Sequence, residues 1–464
     1  MPQRKFAVIV LAAGLGTRMR SKRPKALQPV AGRPMIGHVM AALAKLNPAR
    51  VVLVVGPGMD EVAAAARSAA PALDIVAAVQ RQRRGTGHAA RQALPALKGF
   101  AGDVLVCVGD VPLAAPETLA KPLSARAGDR PPDIVVLGMR QSDPSPYGRL
   151  IVDRKGRLSA IVEAKDASEH VQGLKLCNSG ILALDAGLLA RLLRRLKPNN
   201  AQGELYLTDV VALARGDRLV SGAVEGPAEE LLGINSRADL AVAEATMQLR
   251  LRAQAMAAGA TLLDPTTVWF SHDTKVGRDV TIGPAVFFGL GVEIGDGAEI
   301  LSFSHIEGAR IAPGARIGPF ARLRRGADIG EGARIGNFVE VKNARLAPGA
   351  KANHLAYIGD AKVGAKANVG AGTITCNYDG FFKAVTDIGA GAFVGSNTAL
   401  VAPVKIGAGA MIAAGSVITR DVPVDALAVA RVRQEHRPGW ARAFRAGRAK
   451  AKAKSTKGGS RKKR

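Results

Sequence analysis

From about residue 265, aliphatic side chains return at every sixth position, usually with glycine directly behind them. The first series is Val276, Ile282, Phe288, Ile294, Ile300 and Ile306. A second, one residue short of that register, is Ile311, Ile317, Leu323, Ile329, Ile335 and Val341, and a third is Ile388, Val394, Leu400, Ile406, Ile412 and Ile418. Six residues turn a helix through about 600° at roughly 3.6 residues per turn, so this spacing leaves no apolar stripe on a helix. It suits a coil whose flat sides are each one hexapeptide, with the aliphatic residue pointing inward and the glycine helping the chain round the corner. A parallel β-helix is therefore expected over 259–440, and 53 glycines with only 4% aromatic residues fit such a small-residue architecture.

The first half has a different grammar. Buried-strand runs such as FAVIVLAAG, RVVLVVG, DIVAAV, DVLVCVGD and DIVVLGM alternate with helical stretches such as MDEVAAAARSAA up to about residue 235. That alternation predicts a Rossmann-like α/β domain over 1–236, its mostly parallel sheet covered by helices and its ligands beyond the C-terminal strand ends. Residues 237–258 lack Gly and Pro and are rich in Ala, Leu, Arg, Met and Gln, which predicts a linker helix.

Of the net charge of +27, eleven Lys/Arg and no acid lie in 441–464, which leaves +16 for the body. This tail is low in apolar content and is expected to be a disordered, solubilising extension that attracts polyanions weakly, although a nucleic-acid arm has the same composition. Cys107, Cys177 and Cys376 are far apart with no CxxC pair, which argues against a zinc site or disulfide framework and fits a reducing cytosol. FAVIVLAAG is too short for a signal-peptide core or a bilayer span, so a soluble, cytoplasmic protein is expected.

Chemistry gathers in three places. In LAAGLGTRMRSKRPKAL (11–27), Gly14 and Gly16 follow a strand and precede Thr17 and Arg18, with Lys25 behind a proline. By themselves these residues fit either a phosphate cradle or a solvated βα turn. The other two places interrupt the coil: 321–343, with Arg324 and Lys342, and 354–380, with His354, Tyr357, Asn368, Asn377 and Tyr378. In a solenoid the repeats are committed to packing, so interruptions are where function collects. Acyl transfer to an amine needs a base, and histidine titrates in the useful range. His354 is the one of seven histidines that stands beside Tyr357 and upstream of NVGAGTITCNYDG.

GxGTRM followed by PK resembles the signature of sugar-phosphate nucleotidyltransferases, and Gln80 with GTGHA, GDVPL, YGR, VEAKDA, NSGI and GINSR follow in order. The second half resembles the hexapeptide-repeat acyltransferases, whose β-helix is left-handed and which work as trimers with active sites between adjacent coils. Both halves together, residues 5–440, resemble the bacterial bifunctional enzymes that make UDP-N-acetylglucosamine. The resemblance implies acetyl transfer from acetyl-CoA to glucosamine 1-phosphate in the second half. Uridylyl transfer from UTP to N-acetylglucosamine 1-phosphate then follows in the first, with Mg2+.

Carried onto this sequence, the resemblance puts Leu11, Ala12, Ala13, Gly14, Gln80, Gly85 and Thr86 on the nucleotide, Arg18 and Lys25 on its phosphates, and Asp110 and Asn235 on the metal. Gly148, Glu163 and Asn178 fall to the sugar. His354 becomes the acetyl-transfer base; Arg324, Lys342, Tyr357, Asn368 and Lys383 hold the amino-sugar phosphate. Ala371, Asn377, Tyr378, Ser396, Ala414 and Arg431 match acetyl-CoA contacts. Val108, where an aromatic residue is common, and Arg325, where proline is common, depart from the pattern. Two other readings share the layout. In one, a single-activity nucleotidyltransferase carries a regulatory or oligomerising coil, against which His354 and NYDG speak. The other is a non-catalytic subunit, against which Lys25, Asp110 and Asn235 speak.

Overall fold

The computed structural model describes residues 5–154 and 156–459, and the chain falls into two compact units, Met1–Gly308 and Ala309–Arg464. In the first unit, strand β1 (Phe6–Leu11) is buried almost throughout because it lies inside a sheet with a core on each face. Phe6, Val8 and Val10 enter one core, and Ala7 and Ile9 enter the other. Beside β1 stand β2 (Arg50–Val55), β3 (Ile75–Val79), β4 (Asp103–Val108), β5 (Ile134–Arg140), β6 (Arg149–Val152), β7 (Leu158–Val162), β8 (Leu176–Asp185) and β9 (Ser221–Glu225). The main order is β9-β5-β8-β4-β1-β2-β3, with β6 paired to β8 and β7 paired to β6.

β1, β2, β3 and β4 pair in parallel, as do β5 and β9, whereas β8 runs antiparallel to β4 and β5. Leu11, Val54 and Val108 are in register, so the loops after β1, β2 and β4 leave the same edge of the sheet. The reversal of β8 brings its beginning, Cys177 and Asn178, to that edge as well.

The linker helix α2 spans Arg237–Ala257 and follows α1 (Thr86–Ala93) in the numbering used here. A capping box starts it: Asp239 N–H donates to Ser236 Oγ (3.2 Å), and Ser236 N–H donates to Asp239 Oδ2 (2.8 Å). The compact division falls at Gly308 rather than at this helix, for a visible reason. Gln248, 1% exposed, donates to Phe270 O (2.7 Å) and accepts from Phe270 N–H (2.8 Å), while Glu244 accepts from Ala31 N–H (2.8 Å). His272 N–H donates to Ala31 O (2.9 Å), so the first coils are hydrogen-bonded into the α/β domain.

Coils in this unit repeat every eighteen residues: Lys275 pairs Glu293, Thr281 pairs Glu299 and Phe287 pairs His305, all in parallel. In the second unit Ala309 pairs Ala327 and Arg316 pairs Arg334 in the same rhythm. The spacing then shortens to seventeen, with Ala327 opposite Ala344 and Lys351 opposite Asn368. One coil is much longer, with Ala361 opposite Thr386, because the NYDG loop bulges out of it. The predicted inward residues are buried throughout, except Val276, which is only half-buried. Their glycines serve close approach more than corner turning. A Cβ on Gly336 would lie 1.9 Å from Asn353 O of the next coil, while left-handed corners fall on residues such as Asp279, Ala285 and Phe320.

The tail corrects the sequence reading. Instead of lacking structure, Trp440–Gly459 forms helix α3; residues 460–464 lie outside the description. Ala, Lys and Arg, all strong helix formers, make up most of its length. Among the described residues no helix is long and apolar enough to cross a membrane.

Candidate active sites

At the C-terminal sheet edge two cavities adjoin. The first, about 260 Å³, is bounded by Leu11, Ala12, Ala13 and Gly14 after β1, Gln80 after β3, Gly85 and Thr86 at the start of α1, and Lys25, Val108 and Asp110. The second, about 210 Å³, is bounded by Tyr147, Gly148, Glu163, Asn178, Thr208 and Asn235. Leu11, Thr86, Val108 and Asp110 line both, so Asp110 stands where the two meet.

Lys25 ties this meeting point together. Its ammonium donates to Asp110 Oδ2 and, at 2.9 Å, to Asn235 Oδ1. The backbone supports the pair: Ile234 N–H donates to Asp110 O (3.0 Å), and Asn235 N–H donates to Asp239 Oδ2 (2.9 Å) in the first turn of α2. Gly16, at φ +64°, must be glycine, since a Cβ there would lie 2.5 Å from Lys25 Cβ. The glycine loop thus packs directly on the stem of Lys25. Two hard oxygen donors converging on a position held by a cation fit a magnesium-type site whose remaining ligands are phosphate and water. Among the described residues no group of three or more His, Cys, Asp or Glu could hold a metal. Arg18 stays exposed in the short Thr17–Met19 turn and lines neither cavity.

Gln80 is buried, and its amide donates to Gly85 O (3.1 Å) and contacts His88 Nδ1 (3.1 Å). Thr86 Oγ1 accepts from Leu207 N–H (3.0 Å), closing the cavity wall. Glu163 Oε1 accepts from Thr208 Oγ1 (3.0 Å), and a Cβ on Gly148 would press on Glu163 Oε2 at 3.3 Å. Burial pushes the Glu163 carboxyl above the usual range despite the Thr208 hydrogen bond that favours the carboxylate. Asn178 Oδ1 accepts from Gly180 N–H (3.0 Å). Arg83, Tyr147 and Glu204 also line these cavities without having been singled out from the sequence, although Tyr147 sits inside the YGR motif.

The second constellation lies on the coil face. His354 and Asn337 are opposite each other on successive coils, and His354 Nδ1 lies 2.8 Å from Asn337 Oδ1. With an oxygen as its partner, Nδ1 is the donor, so in the neutral ring the lone pair falls on Nε2. Tyr357 sits opposite Glu340, which receives Arg324 Nη1 at 2.8 Å. The Lys383 ammonium, in contact with Lys342, pushes Lys342 below the ordinary lysine range. Asp360, 8% exposed, accepts from the amides of Asn343 (2.5 Å) and Asn377. Burial alone would raise its carboxyl, but these two amides with Lys383 and Lys342 hold it below the usual range.

A third row runs down the coil. Ala371 O accepts from Asn397 N–H (2.7 Å), Ser396 O from Gly415 N–H (2.8 Å), and Ala414 O from Arg431 Nη1 (3.1 Å). Tyr378 is exposed, its hydroxyl donating to Gly380 O (2.5 Å) inside the loop, and Asn368 is half-buried in register with Lys351. Asn337, Glu340 and Asp360 are the residues sequence reading passed over. Asn337 stands seventeen positions before His354, one coil away, so an even six-residue period, which gives eighteen, does not find it.

Known proteins agree with both halves. Residues 8–178 match the MobA-like NTP transferase domain, and residues 386–420 match the bacterial transferase hexapeptide (six repeats). The class is therefore a nucleotidyltransferase domain followed by a hexapeptide-repeat transferase built on a left-handed parallel β-helix. The chain is 57% identical over 454 residues to the bifunctional protein GlmU of Paramagnetospirillum magneticum, covering 98% of this chain and 100% of that one. It is 59% identical over 442 residues to that of Rhodospirillum rubrum (95% and 98%) and 52% over 455 residues to that of Xanthobacter autotrophicus (97% and 100%). The chain belongs to the bifunctional GlmU family.

Proposed function

We propose that this chain makes UDP-N-acetylglucosamine in two steps at two separate sites. The coil face transfers the acetyl group of acetyl-CoA to the amine of glucosamine 1-phosphate; the α/β domain then joins N-acetylglucosamine 1-phosphate to the uridylyl group of UTP and releases pyrophosphate. The observation that carries the second step is the junction of the two cavities at Asp110 and Lys25.

In uridylyl transfer a phosphate oxygen attacks the α-phosphorus and the bond to pyrophosphate breaks, so two anions must be brought together and aligned. The first cavity takes the nucleotide, with Gln80, Gly85 and Thr86 at the base and ribose and the Leu11–Gly14 backbone at the phosphates. The second takes the sugar, whose hydroxyls meet Glu163, Asn178 and the open backbone of Gly148. Lys25 and Arg18 offset phosphate charge. Asp110 and Asn235 would hold Mg2+, which when bound neutralises phosphate charge at the reacting centre.

For acetyl transfer, His354 Nε2 accepts the proton of the attacking amine while Asn337 holds Nδ1–H, and the thiolate leaves. Lys342 and Lys383, two cations in contact, call for an anion, and the sugar phosphate supplies it together with Arg324, Tyr357 and Asn368. The row Ala371–Ser396–Ala414 with Asn377, Tyr378 and Arg431 receives acetyl-CoA. His354 stands exposed on one chain, which supports a homotrimer whose neighbouring coil covers the site. The product would feed peptidoglycan and lipopolysaccharide precursors in the cytoplasm.

The test supplies glucosamine 1-phosphate with acetyl-CoA in one reaction and N-acetylglucosamine 1-phosphate with UTP and Mg2+ in another, and follows free thiol in the first and pyrophosphate in the second. Both should appear; thiol alone or pyrophosphate alone would expose a single-activity enzyme.

A further inference from the structure

A cavity of the α/β domain serves neither reaction. It measures about 300 Å³, more than either active-site cavity, and lies at the turn from β6 to β7, against the end of the helix Asp209–Gly216 and the start of β9. Three arginines line it: Arg157 from the hairpin turn, Arg215 from the last turn of the helix and Arg218 just behind it. Arg157 is paired with Asp153 (2.9 Å), the one acid in the lining. Arg215 and Arg218 have no acidic partner among the described residues, whereas Arg191 and Arg195 of the neighbouring helix share Asp217. Ser221, 3% exposed, lines the same cavity, and its hydroxyl has no hydrogen-bond partner among the described residues. An unpaired buried hydroxyl is costly, and an oxyanion would accept from it.

Guanidinium forks match phosphate oxygens in pairs, and a buried hydroxyl beside them adds a further donor, so this lining has the chemistry to receive a phosphoryl group. The volume leaves room for a small organic body behind the phosphate. Both walls of the cavity also run to the sugar cavity. β6 and β7 pair from Val152 and Leu158 at this end to Arg149 and Val162 at the other, where Gly148 and Glu163 line the sugar cavity. The helix Asp209–Gly216 begins beside Thr208, whose hydroxyl donates to Glu163 Oε1 (3.0 Å). Strands of four and five residues, at roughly 3.3 Å each, put the two sites about 15 Å apart. We propose that the cavity at Arg157, Arg215, Arg218 and Ser221 is an effector site for a small phosphorylated molecule. Bound there, the molecule pins hairpin to helix at the far end and so steadies Glu163 against Thr208 at the sugar end. The effector role rests on the sugar assignment of Gly148 and Glu163; the binding site does not.

The test titrates inorganic phosphate and glucose 6-phosphate by calorimetry into the full chain saturated with UDP-N-acetylglucosamine, Mg2+ and coenzyme A, so that neither active site takes the probe. Glucose 6-phosphate should bind at one site per chain, and inorganic phosphate at the same site more weakly. Arg215→Gln with Arg218→Gln should weaken binding about tenfold and Ser221→Ala about fivefold. Arg191→Gln with Arg195→Gln, an equal loss of charge outside the cavity, should leave it unchanged. No heat with either probe, or an affinity that survives the Arg215 and Arg218 changes or falls as far with those at Arg191 and Arg195, would overturn the site. Free phosphate binding as tightly as the ester would overturn the organic ligand. In the uridylylation assay, glucose 6-phosphate should lower KM for N-acetylglucosamine 1-phosphate about fivefold with KM for UTP unmoved, and the Arg215 and Arg218 changes should remove that effect. Binding without this shift would overturn the effector role, whereas binding in a chain that releases no pyrophosphate would refute uridylyl transfer and leave the site standing.

Discussion

If Asp110 and Asn235 hold the divalent cation, Lys25 and that cation compete for the same two oxygens until nucleotide arrives. A Mg2+ or Mn2+ ion sits about 2.1 Å from its oxygen ligands, so it has no room while the ammonium donates to both. The Lys25 and Asp110 side chains are only 15% and 20% exposed, so this pair keeps more of its strength than a surface ion pair. At an effective dielectric of about 20, charges about 3 Å apart attract by roughly 5 kcal/mol, much of it returned when the ammonium regains water. A net value of about 2 kcal/mol, typical of charged hydrogen bonds, corresponds to roughly 30-fold in affinity. Lys25→Met keeps the stem that packs on Gly16 and removes the charge. Titrated with Mn2+ without nucleotide, by calorimetry or by the paramagnetic resonance of free ion, the variant should bind about 30-fold more tightly than wild type. Uridylyl transfer should nevertheless fall, because the phosphates lose their lysine. Unchanged or weaker Mn2+ binding in Lys25→Met would sink the competition, and tight Mn2+ binding surviving Asp110→Ala would sink the metal assignment itself.

His354→Ala should abolish thiol release from acetyl-CoA while leaving pyrophosphate release from supplied N-acetylglucosamine 1-phosphate and UTP intact, and Asp110→Ala should do the reverse; loss of both activities in either variant, each assayed with its own substrate, refutes independent sites. Asn337→Ala removes one neutral hydrogen bond to an exposed imidazole, worth about 1 kcal/mol, so kcat for acetyl transfer should drop roughly fivefold with KM for acetyl-CoA unmoved. Burial raises the Glu163 carboxyl, so the acid limb of kcat/KM for uridylylation should lie above the ordinary glutamate range, and Glu163→Gln should remove that limb. His38 is held down to about 4, chiefly by burial and further by Arg33 and His272, against the model-compound 6.5. The unfolded state then binds the proton first, so stability should be full above about pH 6.5 and fall by up to about 3 kcal/mol as pH drops towards 4 in urea titrations. Flat stability over that window would contradict the buried neutral imidazole.

The two halves were legible for different physical reasons. A six-residue period has one structural solution in a stack of parallel coils, so buried positions such as Ile282, Leu323 and Ile412 could be named without knowing any neighbour. The order Gly14–Gly16–Lys25 left a phosphate cradle and a solvated turn both open at the end of β1 until the resemblance favoured the cradle, and a cavity lies there. What stayed hidden depends on which residues the coil brings opposite one another. Asn337 is an ordinary turn residue until the shift from eighteen to seventeen per coil sets it opposite His354, and Asp360 is an ordinary strand acid until the amides of Asn343 and Asn377 close on it. The glycine rule was right in position and incomplete in cause: left-handed corners accept alanine, aspartate and phenylalanine as well as glycine, whereas the glycines directly behind inward residues, such as Gly336 and Gly395, abut the next coil's backbone.

The tail was misread because composition was weighed without order. A charge-rich, apolar-poor segment reads as disordered when only its totals are counted. The same residues arranged with alanine between the cations, and with Trp440 four residues before Phe444, form a helix with one aromatic stripe. Charge in this chain therefore divides by arrangement. Around Asp110 and Lys342 cations are set among oxygens or beside one another in a pocket or on a coil face, which suits a small phosphorylated substrate. Along α3 they are spread over a helix whose own residues include no acid.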